Sequence, residues 1–146
     1  MARITQAGIE HLNELAPLFD AYRVWYHQTS DIESAKVFLR DRIQNNESVI
    51  FIAYDENSAV GFTQLYPIFT SVGMQRAWLL NDLFVHDSAR GKGIATQLLE
   101  AAKQHGRNTE AKWLMLQTGN DNYTAQALYQ KDGWQKVRDI FYEYAL

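Results

Sequence analysis

Hydrophobic and polar positions along the chain alternate between two periods, and the switches between them mark the elements. Arg3–Gln6 reads as a short opening strand. From Leu12 the apolar positions are Leu12, Leu15, Leu18, Phe19, Tyr22, Trp25 and Tyr26. Spacings of three and four predict an amphipathic helix, which Gln28-Thr29-Ser30-Asp31 breaks. A second helix is expected over Ser34–Asn45, with Phe38, Leu39 and Ile43 inward. Val49-Ile50-Phe51-Ile52-Ala53 is an unbroken run of β-favouring residues, as in a strand covered on both faces. Glu56-Asn57-Ser58 is a turn, Ala59–Phe69 the returning strand of a hairpin, and Thr70–Gly73 a second turn before the strand Ala77–Val85. After the polar stretch His86–Ala89, a helix is predicted from near Gly91 to about His105, with Ile94, Ala95, Leu98, Leu99 and Ala102 on one face. Trp113–Leu116 is a buried strand, and Asn122–Lys131 a helix that Gly133 ends. Gly133–Val137 and Ile140–Ala145 read as closing strands. The order βααβββαβαββ describes a mixed α/β (α+β) sheet rather than a doubly wound parallel one.

Composition narrows the class without naming it. A chain of 146 residues with 47% hydrophobic and 21% charged positions suits one packed domain, residues 1–146. The formal charge of -3 leaves no basic footprint for nucleic acid, and mild acidity suits a cationic substrate. There is no cysteine, so thiolate chemistry and disulfides are excluded. His11, His27, His86 and His105 have no metal-ligand spacing, and no metal is expected. No apolar leader or bilayer-length stretch occurs, so the expectation is a cytoplasmic protein without membrane attachment.

The most informative segment is Arg90-Gly91-Lys92-Gly93-Ile94-Ala95, which follows a strand and opens a helix. Glycines there allow close backbone approach to a ligand, and the first N–H groups of a helix are free to bind an anion at the positive end of its dipole. Arg90 adds a charge at the rim. A nucleotide-binding GxxxxGK[ST] loop fails because Gly93 follows Lys92, and a dinucleotide fingerprint fails because the third glycine is missing. The residues alone leave a bare glycine turn or an anion site.

Arg90-x-x-Gly93-x-Ala95 resembles the [RQ]-x-x-G-x-[GA] signature of the GNAT N-acetyltransferase superfamily. Leu83-Phe84-Val85 resembles the family's strand end, and Asn122-x-x-Ala125-x-x-Leu128-Tyr129-x-x-x-Gly133-Trp134 its second motif. The element order is also the family's. This resemblance implies a GNAT-like fold and transfer of the acetyl group of acetyl-CoA to a primary amine by direct attack in a ternary complex. It implies that backbone groups of Leu83, Phe84 and Val85 serve the pantetheine arm. Arg90, Gly91, Lys92, Gly93, Ile94, Ala95 and Thr96 would hold the pyrophosphate. Asn122 would bond pantetheine or position the following helix. Tyr129 would protonate the departing CoA sulfur, a role suited to a phenol that stays protonated at neutral pH; spacing alone favours a core tyrosine, and the motif reverses that.

Leu80-Asn81-Asp82-Leu83 further resembles the diamine- and histone-type branch, with Asn81 where that branch often has an acid. Asp82 is a carboxylate inside an apolar strand, where a charge needs a reason. It stands as the general base, as a cation-binding group, or as the partner of Arg76 or Arg90; His86 is the other candidate base. For the acceptor, the resemblance points to the first two helices, where Tyr22, Trp25 and Tyr26 offer aromatic faces near Asp31 and Glu33; Tyr22, Tyr26 and Asn81 are the substrate candidates. A polyamine, a small amine and a protein lysine all fit. The alternatives are an acyl-CoA-binding regulatory domain without turnover and an unrelated phosphate-binding domain. The terminal Phe141–Leu146 segment is expected to support a homodimer.

Overall fold

The computed structural model describes residues 1–146, which fall into two units, Met1–Leu116 and Gln117–Leu146. The first unit holds β1 (Arg3–Gln6), α1 (Leu12–Trp25), α2 (Ile32–Gln44), β2 (Val49–Asp55), β3 (Ser58–Thr70), β4 (Gln75–Val85), α3 (Ile94–Asn108) and β5 (Leu114–Met115). Single 3-10 turns lie at Ile9–His11 and Asp87–Ala89. The strands form one five-stranded sheet in the order β1-β2-β3-β4-β5. The first three pairings are antiparallel and β4–β5 is parallel, so the sheet is mixed.

Strand β2 shows why the pattern works. Ile50 and Ile52 join Leu15, Leu18, Phe19, Leu39 and Phe62 in a core under α1 and α2. Ala53 and the partly buried Phe51 join the opposite cluster, with Ile94 and Leu98 of α3. An unbroken apolar run is what a strand packed on both faces requires. Helix α2 begins at Ile32, two residues before the expected start, because Asp31 caps it by accepting from the Ser34 amide at 3.1 Å. Helix α3 begins at Ile94 rather than near Gly91, because Gly91 and Gly93 have φ of +77° and +76°, outside the right-handed helical region.

Two register shifts shape the strands. Between β2 and β3, Ala53 pairs with Gly61 and Tyr54 with Ala59, leaving Val60 as the extra residue. Between β3 and β4, Gln64 pairs with Asp82 and Leu65 with Leu80, so Asn81 is extra. Pairing of β5 with β4 is confined to Trp78↔Leu114 and Leu79↔Met115. Within this unit, β4 therefore continues from Leu80 to Val85 with β3 as its one ladder partner.

The second unit contains α4 (Tyr123–Lys131). Its end is a complete Schellman motif: the Trp134 amide donates to the Tyr129 carbonyl at 2.9 Å and the Gly133 amide to the Gln130 carbonyl at 3.2 Å. Gly133 takes the left-handed position, φ +94°. The closing strands expected at 133–137 and 140–145 are corrected here: residues after Gly133 carry no strand, and Ile140, Tyr142 and Tyr144 are exposed. Aromatic and β-branched residues favour a strand only where a pleated surface receives them, and this unit contains no strand for them to join.

Gly61 marks the tightest backbone approach in the sheet. A Cβ there would stand 2.8 Å from the Phe84 carbonyl oxygen and 3.3 Å from Val85 Cγ2. Gly61→Ala is expected to destabilise the protein by about 1–3 kcal/mol through this overpacking, read as a lower denaturant midpoint with an unchanged slope.

Candidate active site

The end of β4 and the start of α3 enclose the glycine loop. Buried Ala89 and Ile94 fix its two ends in the cluster under α3. Between them Gly91 and Gly93 both adopt positive φ, and a Cβ on either would meet nothing within 4 Å. Glycine is therefore demanded by the backbone path, while the space beside the loop stays open. Gly93 is the N-cap and supplies no side-chain acceptor. The first helical bond runs from the Gln97 amide to the Gly93 carbonyl at 3.2 Å, which leaves the Ile94, Ala95 and Thr96 amides without helical partners. No acidic residue lies in the first turn of α3. These features fit a bound phosphate group.

The two cations of the loop are engaged. Arg90 Nε donates to the Val85 carbonyl at 3.0 Å, its Nη1 lies 2.7 Å from Asp87 Oδ1, and its guanidinium stacks 5.0 Å from the Trp25 ring centroid. Arg90 thus braces the loop against the strand that precedes it. Lys92 Nζ lies 2.7 Å from Asp55 Oδ2 at the end of β2, and this bond holds the Asp55 carboxyl below its ordinary range. Of the β4 residues, Leu83 and Val85 pack on the α3 side and Phe84 on the α1/α2 side.

Asp82 is buried, with 2% of its surface exposed. By strand alternation it shares the α1/α2 face with Phe84, and its ladder partner Gln64 shares that face with Phe62. Gln64 Nε2 donates to Asp82 Oδ2, and Asn81 Nδ2 donates to Asp82 Oδ1 at 2.8 Å. The ion pair with Arg76 or Arg90 does not form. Arg76 lies over the Phe69 and Trp78 rings, 5.1 and 5.4 Å from their centroids, and Arg90 is engaged as described. Burial pushes the Asp82 carboxyl above its ordinary value, against the lowering effect of hydrogen bonds from Gln64, Asn81 and Tyr22. The other candidate base, His86, caps the 3-10 turn, with Nδ1 accepting from the Ser88 amide at 3.3 Å.

Tyr22 and Asn81 come together with Asp82. The Tyr22 hydroxyl donates to the Asn81 carbonyl at 3.3 Å, and its ring stands edge-on to Tyr26 at 5.0 Å and to Phe62 at 5.8 Å. Tyr22 is therefore both core and rim, while Tyr26 is more than half exposed. Burial first, and the Asp82 charge second, push the Tyr22 phenol well up and the Tyr66 phenol up to about 12. The carboxylates expected near the acceptor have other duties: Asp31 caps α2, and Glu33 pairs with Lys36 at 3.6 Å. Two residues of the cluster, Gln64 and Tyr66, are absent from the sequence-based set. A fully buried Gln in the apolar stretch Gly61–Leu65 was the available signal for the first. Tyr66 carried none beyond its place in the strand.

In the second unit Asn122 is the N-cap of α4, its Oδ1 accepting from the Ala125 amide at 3.2 Å. Tyr129 is half-buried and its ring lies 6.2 Å from that of Trp134. This is the apolar contact that accompanies the Schellman turn.

The chain belongs to the acetyltransferase (GNAT) family, whose profile matches residues 12–134. An uncharacterised N-acetyltransferase of Bacillus subtilis, YhfO, is 47% identical over 133 residues, covering 91% of this chain and 89% of its own. The spermine/spermidine N(1)-acetyltransferase of the same organism is 32% identical over 113 residues, covering 75% of this chain and 74% of its own. Among solved structures, a probable acetyltransferase superposes with a TM-score of 0.91 at 42% identity, over 99% of this chain and 96% of that one. The mixed α/β fold is the family's, and the protein is an N-acetyltransferase.

The buried carboxyl makes a stability prediction with a definite sign. Because burial raises the Asp82 pKa, the native state binds this proton more tightly than the unfolded chain does. Its favourable contribution is present below the ordinary carboxylate range and is lost as pH rises through the raised value. Asp82→Asn should therefore melt at a higher temperature than the parent at pH 7. The gap should close as pH falls to about 4, where an exposed carboxyl also protonates.

Proposed function

We propose that the protein transfers the acetyl group of acetyl-CoA to a primary amine by direct attack in a ternary complex. The observation that carries this reading is the α3 terminus: two left-handed glycines, three amides without helical partners and no acidic residue in the first turn, in a chain of this family. The Gly91–Thr96 backbone fits the pyrophosphate through the unpartnered amides and the positive end of the helix dipole. The backbone of Leu83, Phe84 and Val85 serves the pantetheine arm, consistent with β4 outrunning its two-residue ladder with β5. One of these amides polarises the thioester carbonyl, where charge develops during attack. Arg90 and Lys92 keep the loop in position through Val85, Asp87 and Asp55. The match of the family profile from residue 12 to 134 supports treating residues 1–146 as one catalytic domain.

An alkylammonium of pKa about 10.4 must lose a proton before its nitrogen can attack. Asp82 takes that proton, and burial suits it, because a carboxyl held above its ordinary range is a stronger base than an exposed one. The amine lone pair forms the new C–N bond, the C–S bond breaks as Tyr129 protonates the departing sulfur, and the nitrogen gives its second proton to water, from which Tyr129 is reprotonated. The role of Tyr129 rests on its match to the second family motif, as does a contact of Asn122 with pantetheine. The acceptor belongs to the diamine-like group in this reading. The 32% identity to a spermine/spermidine acetyltransferase supports that choice, as do the phenols of Tyr22 and Tyr26, which meet edge-on with Tyr22 beside Asp82.

Release of CoA thiol on a panel of amines tests the activity. Tyr129→Phe should lower turnover by about 10²–10⁴ with acetyl-CoA affinity unchanged; unchanged turnover removes it as the acid. Stabilisation by acetyl-CoA without thiol release on any amine would reassign the chain to acyl-CoA binding without turnover. In a separate measurement, the acid limb of kcat/KM should lie above the ordinary carboxylate range. It should disappear in Asp82→Asn; a limb that persists there belongs to another group.

A further inference from the structure

Asp82 is a buried carboxylate whose hydrogen-bond partners, Gln64 and Asn81, are both neutral. No arginine answers that charge: Arg42, whose charge reaches Tyr66, pairs with Glu47 at 3.2 Å and lies 4.6 Å from the Phe38 ring centroid, Arg76 lies over two rings, and Arg90 is held in its loop. A buried charge without a counter-ion is costly and calls for one. A second and independent feature lies beside it. Gln64 is fully buried, its Nε2 is spent on Asp82, and its Oε1 has no hydrogen-bond partner. Turning the amide over would set that oxygen against the carboxylate, so the orphan acceptor is enforced. The pair lacks a positive group carrying more than one N–H.

The surroundings suit such a group. Tyr22 and Tyr66 are half-buried beside Asp82, and both phenols sense its charge. Aromatic walls stabilise a cation once water is stripped from it. The cover is Asn81, which is exposed and lies on the bulge. Its amide on Asp82 Oδ1 occupies the place a substrate N–H would take. As the extra residue of the bulge, it can turn aside without breaking a β3–β4 pair.

We propose that Asp82, Gln64, Tyr22 and Tyr66 form a seat for the ammonium head of the acceptor, with Asn81 as its displaceable cover. The acceptor class is then an unhindered primary alkylammonium, admitted as the cation. This inference rests on the reading that the chain acetylates an amine, and it adds how that amine is chosen. On entry the ammonium displaces the Asn81 amide, donates one N–H to Asp82 and another to Gln64 Oε1. The proton then passes from nitrogen to Asp82, leaving a neutral amine and a neutral carboxyl. The seat itself holds one ammonium and takes the head of a monoamine or a diamine alike; the diamine-like choice made above rests on the remainder of the acceptor, not on this seat.

The test uses butylamine as the probe and butanol as its neutral counterpart, on the full chain with CoA bound. Butylammonium should bind in calorimetry and butanol should not, and Asp82→Asn should abolish the difference. Equal binding of the two overturns the seat. Gln64→Leu should raise KM for butylamine about tenfold, the loss of one hydrogen bond to a charged group, and leave KM for acetyl-CoA unchanged. Asn81→Lys tethers an ammonium at the seat. It should block butylamine binding and raise the melting temperature, and that gain should vanish in the Asn81→Lys, Asp82→Asn double variant. A gain that survives in the double variant, or butylamine binding undisturbed by Asn81→Lys, overturns the proposal. Binding that behaves as described without any thiol release would leave the seat standing and remove the enzymatic reading instead.

Discussion

The one-residue register shift at Asn81 governs the chemistry of this sheet. On its far side Gln64 and Asp82 pair across β3 and β4, and alternation places both under α1 and α2. Beyond Asp82 the same alternation sends Leu83 and Val85 into the cluster under α3 and Phe84 back toward α1. One strand thus turns a carboxyl toward one face while its end leads, through Arg90, into the glycine loop. The bulge also releases Asn81 from the ladder, leaving its side chain free to serve Asp82 instead of packing.

Most of the frame was legible because the forces that set it act locally. The spacing of Leu12, Leu15, Leu18 and Phe19 and the apolar run at Val49–Ala53 each report a face that must be buried, and both elements form as read. The glycine loop was legible for a similar reason: positive φ at Gly91 and Gly93 is a local demand, and only the exact start of α3 shifted. What the sequence could not convey are pairings between distant positions. Gln64 meets Asp82 across 18 residues, and Tyr66, beyond the register shift on the same strand, senses the Asp82 charge. Arg76 was a reasonable partner for Asp82 by charge, yet aromatic rings claim its guanidinium. The tail failed differently. Residues 133–146 have strand-like composition, but a strand is defined by its neighbour, and composition says nothing about whether one exists.

The two charged centres of the first unit are built in opposite ways. At the α3 terminus, positive character comes from backbone amides, while Arg90 and Lys92 are already paired with Asp87 and Asp55. Neutralised side chains add little net field there. The anion site therefore depends on geometry, which the αL glycines fix. At Asp82 the reverse holds. The charge is a full one on a side chain, its partners are neutral, and burial magnifies whatever cation approaches.

That contrast bears on how an acetyltransferase of this construction selects its two substrates. A site made of orphan amides discriminates by shape and accepts its anion without any change in protonation. A buried carboxyl with an orphan glutamine oxygen discriminates by charge and by the number of N–H groups offered, and it gives up that discrimination once it takes the proton. On the proposal made for Asp82, recognition of the acceptor and its activation are successive uses of one group. In the proposed seat, the energy that favours the ammonium is lost when Asp82 is neutralised, and the free amine is left weakly held. Weak binding of the reactive form is what catalysis requires, since interactions that persist unchanged into the transition state do not accelerate the step. In the proposed reaction, the destabilisation that burial of a charged Asp82 implies is the counterpart of its role, as expected where a fold keeps a desolvated charge at a reacting centre.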